Sequence, residues 1–66
     1  MDWRKFIHSD PRLHDGKPVI RGTKLEVEFI LDLISSGWTH QQILDDYPIL
    51  TPEALVAVQA FFAEAR

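Results

Sequence analysis

His8, His14 and His40 are the side chains with the most versatile chemistry in this sequence, and carboxylates stand near two of them, Asp10 by His8 and Asp15 beside His14. Imidazole with carboxylate is a metal-ligand set, and with a hydroxyl it is the core of a nucleophilic triad. Neither arrangement follows from these positions. The histidines are too scattered to be read as ligands of one ion, and the chain has no Cys to supply a thiolate or a disulfide. A chain of 66 residues also leaves little scaffold to exclude water around a reacting group. We therefore expect no enzyme, no metal and no cofactor. Gly16 and Gly22 flank Lys17 and Arg21, but the run lacks the spacing of a phosphate loop or a dinucleotide fingerprint, and no helix starts directly after it. Both glycines read as turn residues.

Binding chemistry is better represented. The net charge of -3 conceals an asymmetry. Residues 1–24 hold six of the seven basic groups against Asp2, Asp10 and Asp15, a net +3, whereas residues 25–66 hold only Arg66 against seven acids, a net -6. Arg12, Lys17, Arg21 and Lys24 are the candidate contacts to a nucleic-acid backbone, joined by Gln59 as the one side chain of the last helix able to read a base edge. Arg21 has a second expected role, holding a carboxylate such as Glu26 or Glu28. Glu53 and Glu64 weigh against the last helix as a DNA reader. Asp45 and Asp46 suit a basic protein surface. Val56, Ala60 and Ala63, at i, i+4 and i+7, form a small apolar flank expected to pack on another chain, either a second copy or a different partner.

The elements that must position these groups fall into two parts. Residues 1–24 read as a β-rich basic arm: Trp3, Phe6 and Ile7 precede a Ser9-Asp10-Pro11 break, and Asp15-Gly16 is a two-residue hairpin signal between Leu13 and Val19-Ile20. Pro18 lacks a donor and must take an edge or outward position of any ladder. Residues 25–66 read as three helices within what is one domain overall. Phe29, Ile30, Leu33 and Ile34 give a helix from about Val27 to Ser36, ended by Gly37. Thr39 caps the second helix, with Gln42 completing a capping box and Trp38 placed to staple onto Ile43. Its inward face is Ile43, Leu44 and Tyr47, and Pro48 stops it. The third helix opens on Thr51 and Pro52, with Leu50 placed to staple onto Leu55, and its expected core stripe is Ala54, Leu55, Val58, Phe61, Phe62 and Ala65. The expected fold is thus mainly α, a three-helix helix-turn-helix unit with a short N-terminal β-hairpin arm, an outline shared by DNA readers and by helical bundles that only pack. No stretch approaches the roughly 20 apolar residues needed to span a bilayer, and the N-terminus has no signal-peptide pattern, so a cytoplasmic protein without membrane contact is expected.

The run Gly16-Lys17-Pro18-Val19-Ile20-Arg21-Gly22-Thr23-Lys24, preceded by Asp10-Pro11 and followed by Val27, Ser36-Gly37-Trp38-Thr39, Ile43-Leu44, Tyr47-Pro48 and Leu50-Thr51, resembles the bacterial family catalogued as domain of unknown function 433. The resemblance extends from about Phe6 to Ala63. Where the family carries Arg, Ile and Pro after the Gly-Thr pair, this chain has Lys24, Leu25 and Glu26, which removes a fixed dihedral before the first helix. The resemblance implies a homeodomain-like helix-turn-helix fold with an N-terminal β arm and a role as a small antitoxin of a type II toxin-antitoxin pair. On that reading the partners are a PIN-like ribonuclease toxin, operator DNA bound for autorepression, and a second copy in a homodimer. The alternative reading is a protein-interaction module of the same fold that does not bind DNA.

Overall fold

The computed structural model describes residues 1–65, with side chains through Glu64; the side chain of Ala65, and Arg66, lie outside the described residues. Three helices make up most of the regular structure: α1 (Val27–Ser35), α2 (His40–Asp46) and α3 (Pro52–Ala65). A two-stranded antiparallel sheet precedes them, formed by β1 (Ile7–His8) and β2 (Val19–Ile20). A short 3₁₀ turn at Trp3–Lys5 and a turn of left-handed backbone at His14–Gly16 complete the N-terminal third.

The helix ends obey local chemistry. Glu26 precedes α1 in extended backbone, so Lys24, Leu25 and Glu26 are not helical even without a proline to fix the joint. At the other end, Gly37 with φ +98 lets its N–H reach the Ile34 carbonyl at 3.0 Å and that of Trp38 reach Leu33 at 3.0 Å. Two such bonds around a left-handed residue satisfy carbonyls that the helix end would otherwise orphan. In α2 the Thr39 hydroxyl accepts from the Gln42 N–H at 3.1 Å while the Gln42 side chain accepts from the Thr39 N–H at 2.8 Å, the reciprocal capping box. Thr51 caps α3 through its hydroxyl to the Ala54 N–H at 3.2 Å, with Pro52 at the first helical position, where its missing donor is not needed.

The hairpin differs from expectation. Ile7 pairs with Ile20 and His8 with Val19, and a ten-residue connection joins the strands. Asp15-Gly16 does form a tight turn of the expected kind, with positive φ at Asp15 (φ 55, ψ 30) and Gly16 (φ 80), and the Lys17 N–H closes on His14 at 3.0 Å. No ladder grows from it. Pro18 has no N–H to donate, and Leu13 stays 52% exposed, outside any strand.

Beyond β2 the chain doubles back. Gly22 (φ +79) occupies the third position of a turn closed by the Thr23 N–H on Ile20 at 3.1 Å. The Thr23 hydroxyl also donates to Ile20 at 2.8 Å and accepts from the Leu25 N–H at 3.0 Å. The returning segment then lies against β2, with the Ile20 N–H on Leu25 at 3.0 Å and the Val27 N–H on Pro18 at 3.0 Å. β2 is thus flanked on both sides, and both of its residues are buried.

One apolar cluster unites the strands and helices: Ile7, Ile20, Val27, Ile30, Ile43, Leu50, Ala54, Leu55, Ala57 and Val58. Trp3 reaches α3 from the N-terminal turn and meets Phe61 edge to face, ring centroids 4.8 Å apart. The third-helix stripe needs two corrections. Ala57, absent from the expected stripe, is fully buried, and Phe62 is 52% exposed. Phe62 lies two turns past Leu55 on the same line of the helix. Leu55 sits over the core, while Phe62 falls in the last turn, where α3 has outrun it. In α1, Phe29 likewise belongs to the surface, 39% exposed and edge to face with Tyr47 at 5.6 Å.

Candidate interaction surface

The basic residues proposed for nucleic acid are placed on two neighbouring segments, and most have a local partner. Arg12, in the connection between the strands, donates from Nε and Nη2 to the Asp10 carboxylate at 3.2 and 3.3 Å. That guanidinium, and next the Arg12 backbone N–H at 2.9 Å, hold the Asp10 carboxyl below its ordinary range. Lys17 lies 3.8 Å from Glu28 in the first turn of α1. His14 Nδ1 lies 2.9 Å from Glu26, the residue before α1. These two contacts fasten the connection to the start of α1. His14 and Asp15 adopt the left-handed backbone there despite their Cβ atoms, a strain of about 1–2 kcal/mol each.

Arg21 does not hold Glu26 or Glu28, because His14 and Lys17 occupy those carboxylates. Its guanidinium instead grips the backbone carbonyl of Arg4, and its N–H donates to Phe6 at 2.8 Å, extending the β1–β2 ladder. Nothing in the sequence marks a carbonyl as a target, so this anchor was not foreseeable from side chains. Lys24 is exposed and borders a shallow groove with Leu25, Glu26 and Phe29. Among the described residues Lys5, Arg21 and Lys24 have no carboxylate within 4.0 Å. Gln59 stands apart from all of them, exposed on α3.

Asp45 and Asp46 line a groove with Ser36, Gly37, Trp38 and Gln42, none of it from α3. Asp45 accepts from Gln41 Nε2 at 2.8 Å. These acids therefore belong to the α1–α2 junction and not to the flank of α3.

That flank is open. Val56 is 46% exposed, Gln59 and Ala63 are exposed, and Ala60 is half-buried. Phe62 is a separate exposed apolar side chain in the last turn, about 120° round the helix from Val56. Glu53 and Glu64 are exposed beside it, and α3 carries no Lys or Arg among the described residues. Phe62 is the surface residue that sequence reasoning missed; its place in the last turn of a fourteen-residue helix was the available signal.

Among the described residues no three of His, Asp or Glu approach as a metal-holding group, and no helix is long and apolar enough to cross a membrane. The fold and surfaces define a small, mainly helical domain with three helices, a two-stranded antiparallel sheet and an uncovered apolar helix face. The chain belongs to the family described as protein of unknown function, DUF433, whose family model matches residues 7–62. The structure is similar to the crystal structure of a DUF433 member protein from Anabaena variabilis, with a TM-score of 0.83 and 28% identity, covering 88% of this chain and 57% of that one. Over 63 residues the sequence is 29% identical to uncharacterized protein y4eO of Sinorhizobium fredii, covering 96% of this chain and 28% of y4eO. This chain thus spans little more than a quarter of the length of that curated relative.

Proposed function

We propose that this chain is a non-catalytic binding module, the antitoxin of a type II toxin-antitoxin pair, which holds a PIN-like ribonuclease in the cytoplasm through the outer face of α3. The observation that carries the reading is the exposed Val56, with Ala63 beside it and Phe62 uncovered in the last turn, on a helix whose described flanks are acidic or neutral. An apolar flank at this position suits packing on another protein, and its charge is wrong for phosphates. The order α2, short turn, α3 supports a helix-turn-helix arrangement, here used for packing on protein. Co-expression of the tagged chain with a PIN-like ribonuclease of its host tests the reading. Co-purification, loss of RNA cleavage and restored growth are expected, each weakened by Val56→Asp. Active toxin in the presence of excess folded chain defeats it.

Homodimerisation is the competing use of the same face. Light scattering that finds a monomer near 7.6 kDa at high micromolar concentration leaves the face to the toxin. Operator binding is a second reading, favoured by Lys5, Arg21 and Lys24, which lack carboxylate partners among the described residues. A gel shift on the chain's own promoter, with and without toxin, decides it; unretarded DNA at low salt leaves the protein-interaction module alone.

A further inference from the structure

We propose that the outer face of α3 receives one amphipathic helix of the partner, apolar along its centre and carrying Lys or Arg along one edge, about three turns apart. This rests on the reading of α3 as a protein-binding face and names the chemistry that the face selects.

At about 100° per residue, Val56, Ala60 and Ala63 form the middle of the exposed arc, and Gln59 and Phe62 lie on one side of it. Glu53 and Glu64 both fall on the other side, about 60–80° round from Val56, and are separated along the axis by about 16 Å. Both are exposed, and among the described residues neither has a cation within 4.0 Å. Alanine at 60 and 63 keeps the middle of the face low, so a second helix can approach at the short end of the usual 8–10 Å spacing. The face therefore offers an apolar track with two carboxylates along one rim that have no cation beside them among the described residues, the pattern of helix-in-groove recognition by a basic amphipathic segment.

A second copy of this chain fits the face poorly. Two copies of α3 related by an antiparallel two-fold bring the same edge of each together, so Glu53 and Glu64 of one meet Glu64 and Glu53 of the other along one seam. Like charges placed so oppose association. A partner with basic residues along one edge adds the attraction that self-pairing replaces with repulsion.

The test uses the full chain and two synthetic helical peptides with the same Leu and Ala stripe, one bearing two Lys about three turns apart on one edge and the other two Glu. Titrations are followed by amide chemical shifts. The Lys peptide is expected to bind at least tenfold more tightly at low salt, with shifts centred on Val56, Ala60 and Ala63. Raising the salt should shrink the difference, and the double variant Glu53→Lys with Glu64→Lys should reverse the preference. The milder Glu53→Gln with Glu64→Gln should abolish it, with circular dichroism verifying the fold of each variant. Equal affinity for the two peptides overturns the proposed selectivity yet leaves a protein-binding face in place. Binding of neither also overturns it, and toxin co-purification then judges the broader reading independently.

Discussion

The Arg21 guanidinium donates from both Nε and Nη2 to the backbone carbonyl of Arg4, at 3.2 and 3.1 Å, and so ties the N-terminal turn to the end of β2. The turn in turn carries Trp3 onto Phe61 of α3. Arg21→Ala is expected to cost about 1 kcal/mol, the ordinary net worth of such bonds at an exposed site. Urea denaturation measures the loss, and acrylamide quenching of Trp3 in a Trp38→Phe background reports the loosened turn. Arg21→Lys should recover little, since an ammonium cannot present the two-pronged donor. Quenching that is unchanged in Arg21→Ala would show that Trp3 is held by its packing alone.

Leu55 and Phe62 share a line along α3 but have opposite fates, one fully buried and the other half exposed. Leu55→Ala removes contacts on every side and is expected to cost about 2–5 kcal/mol, enough to unfold a domain this small. Phe62→Ala should change folding stability by no more than about 0.5 kcal/mol. On the proposed reading it nevertheless weakens toxin binding. Thermal melts and co-purification together separate the two effects.

Thr39 and Gln42 satisfy each other's backbone donors at the start of α2. Thr39→Ala is expected to cost about 1 kcal/mol, which lowers the Tm of a domain of this length by roughly 4–8 °C. Thr39→Ser should restore most of it, because only the hydroxyl is used. A melt identical to the parent would mean that the α2 N-terminus is held by tertiary packing.

Such caps explain why the helices were legible in the sequence. Thr39 with Gln42, Thr51 with Pro52, and Gly37 each act within a few residues, so their chemistry is written in adjacent positions. The sheet partner was not legible on those terms. Ile7 pairs with Ile20 across thirteen positions, and the strongest local turn signal, Asp15-Gly16, forms its turn without strands to extend it. The candidate site was legible only in part. The Val56, Ala60 and Ala63 flank followed from periodicity, whereas the exposure of Phe62 depends on where the core ends, and the hold of Arg21 on a backbone carbonyl has no side-chain signature.

Asp10 supplies a pH dependence of definite sign. Its carboxyl is held below the ordinary range by the Arg12 guanidinium and then by the Arg12 N–H. A carboxylate with a depressed folded pKa contributes stability above its unfolded pKa, and that contribution disappears as pH falls through the folded value. The carboxyl carbon of Asp10, followed by NMR, should therefore titrate below the usual aspartate midpoint, and Arg12→Ala should move the midpoint up. Asp10→Asn should flatten the acid limb of stability below the ordinary aspartate midpoint. A normal midpoint in the parent chain would show that the Asp10–Arg12 contact does not persist in solution.

Gly22 tests whether the turn after β2 is demanded by backbone conformation or by space. Its φ of +79 lies in the left-handed region, yet a Cβ added there meets nothing within 4 Å. Any penalty from Gly22→Ala is therefore conformational, about 1–2 kcal/mol, reduced by the lower entropy of the unfolded alanine chain to a net of about 1 kcal/mol. Asn tolerates this region better than Ala, so Gly22→Asn should lose less. A β-branched residue should lose more, and Gly22→Val is expected to be the worst of the three. Because the Thr23 N–H and hydroxyl both close on Ile20 across this turn, hydrogen exchange at Thr23 should accelerate in the same order as the stabilities fall. Equal losses for Ala, Asn and Val would point to a steric or partner contact at Gly22 in place of the backbone requirement.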